Sequence, residues 1–211
     1  RSSGRLSLSW RPTEAFSALL SADGETYDET NSVFKLISVY PAAPPIAALN
    51  AFTPFRYDER WLSTSDFQNF AGGPNSSRGT LSGASLTLEY DAGPATLKSI
   101  SAYRRNSVHS DQDADLSPIT ILDEYDATWQ DQYSQELRLA SSGESAFRWV
   151  AGALFFKQPL QVENFFSFSG TPDPRDAGLP QNYRNDASTQ AVFAETIADL
   201  DSTFSLTVGA R

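Results

Sequence analysis

The stretch QYSQELRLAS, residues 132–141, decides how the chain is read. Tyr133, Gln135, Leu137 and Leu139 share one parity, and Ser134, Glu136 and Arg138 share the other. Successive side chains of a strand point to opposite faces. One face is then mostly aliphatic and aromatic, and the other carries Glu136 and Arg138 side by side. In a soluble sandwich the apolar face turns inward, whereas in a membrane barrel it turns outward to lipid.

The same period of two runs along the chain. Eight extended segments read as strands, at about 5–11, 14–29, 78–91, 95–112, 128–141, 146–167, 187–200 and 203–211. Leu6, Leu8 and Trp10 alternate with Ser7 and Ser9. Ala84, Leu86, Leu88 and Tyr90 alternate with Ser85, Thr87 and Glu89, and Phe204, Leu206 and Val208 with Ser205, Thr207 and Gly209. These are half-buried strand patterns. Around RWVAGALFF in 146–167 both parities hold large apolar groups, and 95–112 reads as a strand carrying a bulge. Segment 14–29 has 16 residues, and 146–167 has 22 with only Pro159 interrupting it. Ordinary strands have about 5–6 residues. Strands that cross a bilayer need about 9–11 and can run on beyond it.

Four connections are tight: RPTEA (11–15), DAGPA (91–95), SSGESA (141–146) and DLDST (199–203). Their Pro, Gly, Asp and Ser suit turns. Three are long, at about 30–77, 113–127 and 168–186, and long and short alternate strictly. An antiparallel meander with short turns at one end and long loops at the other produces that order, the asymmetry of outer-membrane barrels. The 48-residue stretch 30–77 reads as a large loop, with no repeat or domain boundary in the chain. On this reading the expected fold is all-β, an up-and-down meander of about eight long strands forming part of a large transmembrane barrel. Leu137 and Leu139 then face lipid, and Glu136 and Arg138 face a wet lumen.

Composition narrows the functional classes. The chain has 211 residues, of which 40% are hydrophobic and 20% charged, enough to fold rather than remain disordered. Its net charge of -10 argues against a nucleic-acid partner, which needs a basic surface. There is no cysteine, so there is no disulfide framework, thiolate zinc site or cysteine nucleophile. There is also no methionine, which points to a processed N-terminus or a piece of a longer protein. The most apolar run, VYPAAPPIAALNAF (39–52), is short and broken by Pro41, Pro44 and Pro45, so no transmembrane helix is expected.

Four stretches occur in order: TLKSISAYRR (96–105), QYSQELRLASSG (132–143), FRWVAGALFF (147–156) and TQAVFAETIADLDSTFSLTVGAR (189–211). Together they resemble the barrel domain of TonB-dependent outer-membrane receptors. The match covers about the last 120 residues, and residues 1–95 fit as barrel strands with fewer distinctive words. The resemblance implies a barrel of about 22 strands around a plug. It implies residues 1–211 to be part of that wall, with the plug domain absent. It further implies location in the bacterial outer membrane and active uptake of a scarce ligand such as an iron-siderophore chelate, a cobalamin or a glycan. The TonB complex would be engaged through other parts of the receptor. Two alternatives are a self-contained eight-stranded barrel with a structural or adhesive role and a soluble β-sandwich binding module.

No catalytic residue, cofactor or metal site is assigned from the sequence. HSDQDAD (109–115) clusters His109, Asp111, Asp113 and Asp115, and oxygen ligands suit calcium. The run resembles the start of an EF-hand loop, but Leu116 and Leu122 stand where Gly and Glu are required. It reads instead as a polar strand end with well-solvated acids. His109 is the only histidine, and GTLSG (79–83) lacks nucleophile-elbow spacing. Asn75 in N-S-S fits an exposed loop. Trp10, Tyr90, Tyr103, Trp129, Tyr133, Phe147 and Trp149 lie near segment ends, as interfacial girdle residues would. Phe52, Phe55, Tyr57, Trp61, Phe67 and Phe70 lie in the long loop, where packing the loop on itself is the plainer role and ligand contact the other.

Overall fold

A computed structural model describes residues 1–31, 34–52, 56–143, 145–168 and 178–211, without the side chains of residues 45 and 52. Phe55 and the tip of the last long loop lie outside the described residues. Eight strands follow one another: β1 (Ser2–Trp10), β2 (Phe16–Glu29), β3 (Asn75–Asp91), β4 (Ala95–Asp113), β5 (Leu122–Ser141), β6 (Phe147–Phe168), β7 (Gly178–Asp199) and β8 (Ser205–Ala210). They form one sheet in sequence order, every neighbouring pair antiparallel. Among the described residues no ladder joins β8 to β1, so the sheet is open.

Short turns close the β1–β2, β3–β4, β5–β6 and β7–β8 hairpins at one end. Gly93 (φ 90°) and Gly143 (φ 80°) take left-handed conformations there that a side chain would strain. Asp201 Oδ1 accepts from Thr203 N (2.7 Å) and Phe204 N (2.8 Å), an Asx turn that starts β8.

Several boundaries differ from the sequence reading. β4 pairs with β5 without a break from Ala95↔Ser141 to Asp113↔Asp123, so it carries no bulge. The β5–β6 pairing lapses opposite Pro159, which has no N–H to give. β5 begins at Leu122 and β7 at Gly178, earlier than alternation suggests. Asn75 is the first residue of β3, with a buried Oδ1, and not part of an exposed loop. The proline-rich run yields a helix, α1 (Pro44–Phe52). Prolines are accepted in a first helical turn, where their missing N–H would have no partner.

The register sorts side chains into two faces, because directly paired residues point to the same side. Following Leu139 across the sheet places Leu97, Tyr90, Phe16 and Ala151 on its side. Trp10, Tyr103, Trp129, Tyr133, Phe147 and Trp149 share that face. In Leu97–Tyr103, Tyr133–Leu139 and Trp149–Phe155 this face carries no charge. Its first charges are Arg105 and Asp131, which pair with each other, and Lys157, which pairs with Tyr133 one step closer to the band. Trp149 and Lys157 are nine residues apart inclusive. That matches the ~9–11 residues of a tilted bilayer crossing.

There is almost no core. Among the described residues only Val39 and Val162 are buried hydrophobics, while Leu6 is 73% and Leu137 46% exposed. The accessible surface is 14112 Å². A compact soluble protein of this mass would expose roughly 9,700 Å². Among the described residues no second sheet packs against the apolar face, which removes the sandwich.

Candidate functional site

The opposite face collects the charges at the same level. Lys98 pairs with Glu89 (3.2 Å), Arg148 with Asp199 (2.7 Å), and Arg138 with Glu136 on its own strand. Arg104 reaches Asp23 at 3.0 Å. Glu136 and Arg138 therefore stand together, as the alternation predicts, on the side opposite Leu137 and Leu139. They help line a hollow of about 770 Å³ with Val150, Leu154, Phe193 and Glu195. Ser7 and Ser21, also on this face, hold their hydroxyls 3.0 Å apart across β1–β2. The arrangement gathers paired charges and hydroxyls on one face of the sheet.

The sequence cluster 109–115 does not converge. His109 stacks edge-on against Trp129, with centroids 5.6 Å apart. Asp111 accepts from Ser76 Oγ (3.1 Å) and lies 3.4 Å from Arg78. Asp113 and Asp115 are buried, at 2% and 8% exposure, and not solvated as the sequence suggests. Asp113 accepts four backbone N–H groups: Gly72 (2.9 Å), Gly73 (2.8 Å), Asp115 (3.1 Å) and Leu116 (2.7 Å). Asp115 accepts from Ser117 N (3.0 Å), Ile121 N (3.0 Å) and Leu122 N (2.9 Å). These carboxylates organise the turn between β4 and β5, where Leu116 takes a left-handed φ of 59°. Among the described residues no group of His, Cys, Asp or Glu is arranged to hold a metal. The signal for this role is the Asp-Ala-Asp-Leu-Ser spacing, which permits consecutive Asx and ST turns.

The long loop packs partly on this turn and partly on itself. Tyr57 Oη donates to Asp115 O (2.7 Å), and Trp61 Nε1 to Arg56 O (2.8 Å). Trp61 meets Phe70 edge-on, with centroids 5.9 Å apart. Phe67 is 90% exposed and supports no packing role. Burial and the charges of Asp115 and Asp113 raise the Tyr57 phenol above its ordinary range.

No family model matches the sequence, and no curated protein matches it. Solved structures do match the fold. The ferric yersiniabactin uptake receptor FyuA from Yersinia pestis superposes with a TM-score of 0.69 at 18% identity, over 98% of this chain and 28% of that one. The RagAB peptide transporter matches with a TM-score of 0.54 at 13% identity, over 94% of this chain and 26% of that one. RagAB in its closed-closed state gives 0.55 at 14% identity, over 95% and 26%. The chain spans just over a quarter of the length of these proteins. The likeness establishes the fold: one all-β sheet of eight antiparallel up-and-down strands, similar to outer-membrane receptor barrels.

Proposed function

We propose that this chain forms part of the wall of a bacterial outer-membrane transport barrel. Its apolar face meets lipid, and the face of Glu136 and Arg138 lines the lumen. One observation carries the reading: an uncharged band bounded by aromatic and charged rows, with its leucines exposed and, among the described residues, no protein layer over them. Such a surface is stable only where hydrocarbon replaces water. The open sheet argues against a self-contained eight-stranded barrel.

The cargo we propose is a scarce small ligand taken up actively, an iron-siderophore chelate being the leading class. The uptake receptor and peptide importer that share the fold support a transport role. The motifs that resemble TonB-dependent receptors support energy coupling through parts of a receptor outside this chain. The receptors sharing the fold are transport proteins, which supports a non-enzymatic role.

The absence of cysteine makes a direct test simple. Single Glu136→Cys and Leu137→Cys variants are made in outer-membrane vesicles. A membrane-impermeant thiol reagent admitted to the lumen should label position 136 and not position 137. Equal labelling, or the reverse, defeats the assignment of faces. Uptake of a ferric siderophore tests the cargo separately.

A further inference from the structure

We propose that Asp123 is the proton-sensitive element of a latch joining the long loop to the β4–β5 turn. Four hydrogen bonds join the two segments: Gly72 N donates to Ser117 O (2.9 Å), Gly72 N and Gly73 N each donate to Asp113, and Tyr57 Oη donates to Asp115 O. Asp113 and Asp123 are the outermost pair of the β4–β5 ladder and lie against this junction. Gly73 passes directly over them. A side chain there would run into Asp123 Oδ1 and come within 3.1 Å of Asp113 Oδ2.

Asp123 differs from its neighbours. It is 6% exposed, and its Oδ1 is buried without a hydrogen-bond partner. The oxygens of Asp113 and Asp115 are occupied by backbone donors, but Asp123 has no such set. An unpartnered buried oxygen is costly, and more costly when charged. The charged groups acting on it are the carboxylates of Asp113, on the β4 end, and Asp115, in the turn. The ladder partner from β6 is Ser167, the long loop contributes the backbone of Gly73, and Tyr125 lies on its own strand. None of these supplies a cation.

Burial first, then Asp113 and Asp115, push the Asp123 carboxyl up to about 6 from an ordinary 3.8. Asp123 lies eight residues along β5 from Asp131, outside the uncharged band. The folded value is raised, so protonation strengthens the closed latch. Its contribution is full below the ordinary value and is lost as pH rises through about 6. Mild acid closes the junction, and neutral pH puts the charge of Asp123 beneath Gly73, next to Asp113.

The test is hydrogen exchange in the full chain in lipid vesicles, expressed as protection factors so that intrinsic exchange chemistry cancels. Protection of the Gly72, Gly73 and Leu116 amides should fall about tenfold from pH 5 to pH 7, while Tyr103 and Tyr133 stay constant. Asp123→Asn, neutral at every pH, should keep the acid-state protection at both. Equal wild-type protection at the two pH values overturns the proposal. So does an unchanged pH response in Asp123→Asn, or loss of protection at both pH values in that variant.

Discussion

Arg104 and Asp23 stand two strands apart, yet the guanidinium lies 3.0 Å from the carboxylate. Gly83 makes this possible. It pairs with Asp23 on one side and Arg104 on the other, and the arginine passes over its bare Cα. A Cβ at 83 would meet Arg104 Nη2 at 3.2 Å and Tyr103 O at 3.3 Å. Gly83→Val should separate the pair. A double-mutant cycle of Asp23→Asn and Arg104→Gln should show a coupling of up to about 1 kcal/mol in the wild type, as for exposed ion pairs. The coupling should vanish in the Gly83→Val background. A coupling that survives there would mean the pair does not depend on the gap.

Asp113 ties the long loop to the β4–β5 turn. Asp113→Ala removes an acceptor shared by four backbone N–H groups, two in each of the segments it joins, and strands three of them, since Gly72 N keeps Ser117 O. Hydrogen bonds to a charged acceptor contribute about 1.5–3 kcal/mol each, though not additively. A local loss of roughly 3 kcal/mol or more is expected. Limited proteolysis should then cut within 114–121 while the sheet persists. Unchanged resistance would show that the turn is held by other contacts.

Tyr103 and Tyr133 stack across β4–β5 with centroids 4.9 Å apart, and Tyr103 Oη donates to Asp131 at 2.6 Å. The hydroxyl sits where the uncharged band ends. Tyr103→Phe should cost about 1 kcal/mol of folding stability in vesicles by loss of this hydrogen bond. Tyr133→Ala should cost more, by removing both area and the aromatic contact. Equal effects from the two variants would deny the hydroxyl a boundary role.

Strands were legible where one face is apolar and the other polar, as at Leu86, Leu88 and Tyr90. They were not legible at 122–127 or 178–186, where Asp123, Asp126, Pro180 and Asn182 oppose strand propensity. There the extended form comes from pairing with β6, whose Phe165 and Phe166 face Tyr125 and Glu124 on one side and Pro180 and Leu179 on the other. The helix at Pro44–Phe52 was hidden because paired prolines read as breakers, although a first turn accepts them. Alternation alone separated Glu136 and Arg138 from Leu137 and Leu139. The Arg104–Asp23 pair and the burial of Asp123 depend on register, which links residues far apart in the chain and has no local signature.

The two faces make opposite demands on a new charge. Leu137 lies mid-band, flanked in its ladder by Ser99 and Ala153. The nearby polar groups of that face are already engaged, since Gln135 Nε2 donates to Ser99 Oγ at 3.1 Å and Gln135 Oε1 accepts from Ser101. An arginine at 137 would find no counter-ion in hydrocarbon. Leu137→Arg should therefore destabilise the folded protein in lipid vesicles by about 2–4 kcal/mol, the range for a cation at the midplane of a barrel wall. Ser134→Arg, on the opposite face between Ala102 and Phe156, meets water and the existing charges of that face. It should change stability by less than about 1 kcal/mol. Reversible denaturant titrations of both variants in the same vesicles measure the difference. Comparable losses would mean that both faces are buried in a similar medium, and the lipid-facing assignment of Leu137 would fail.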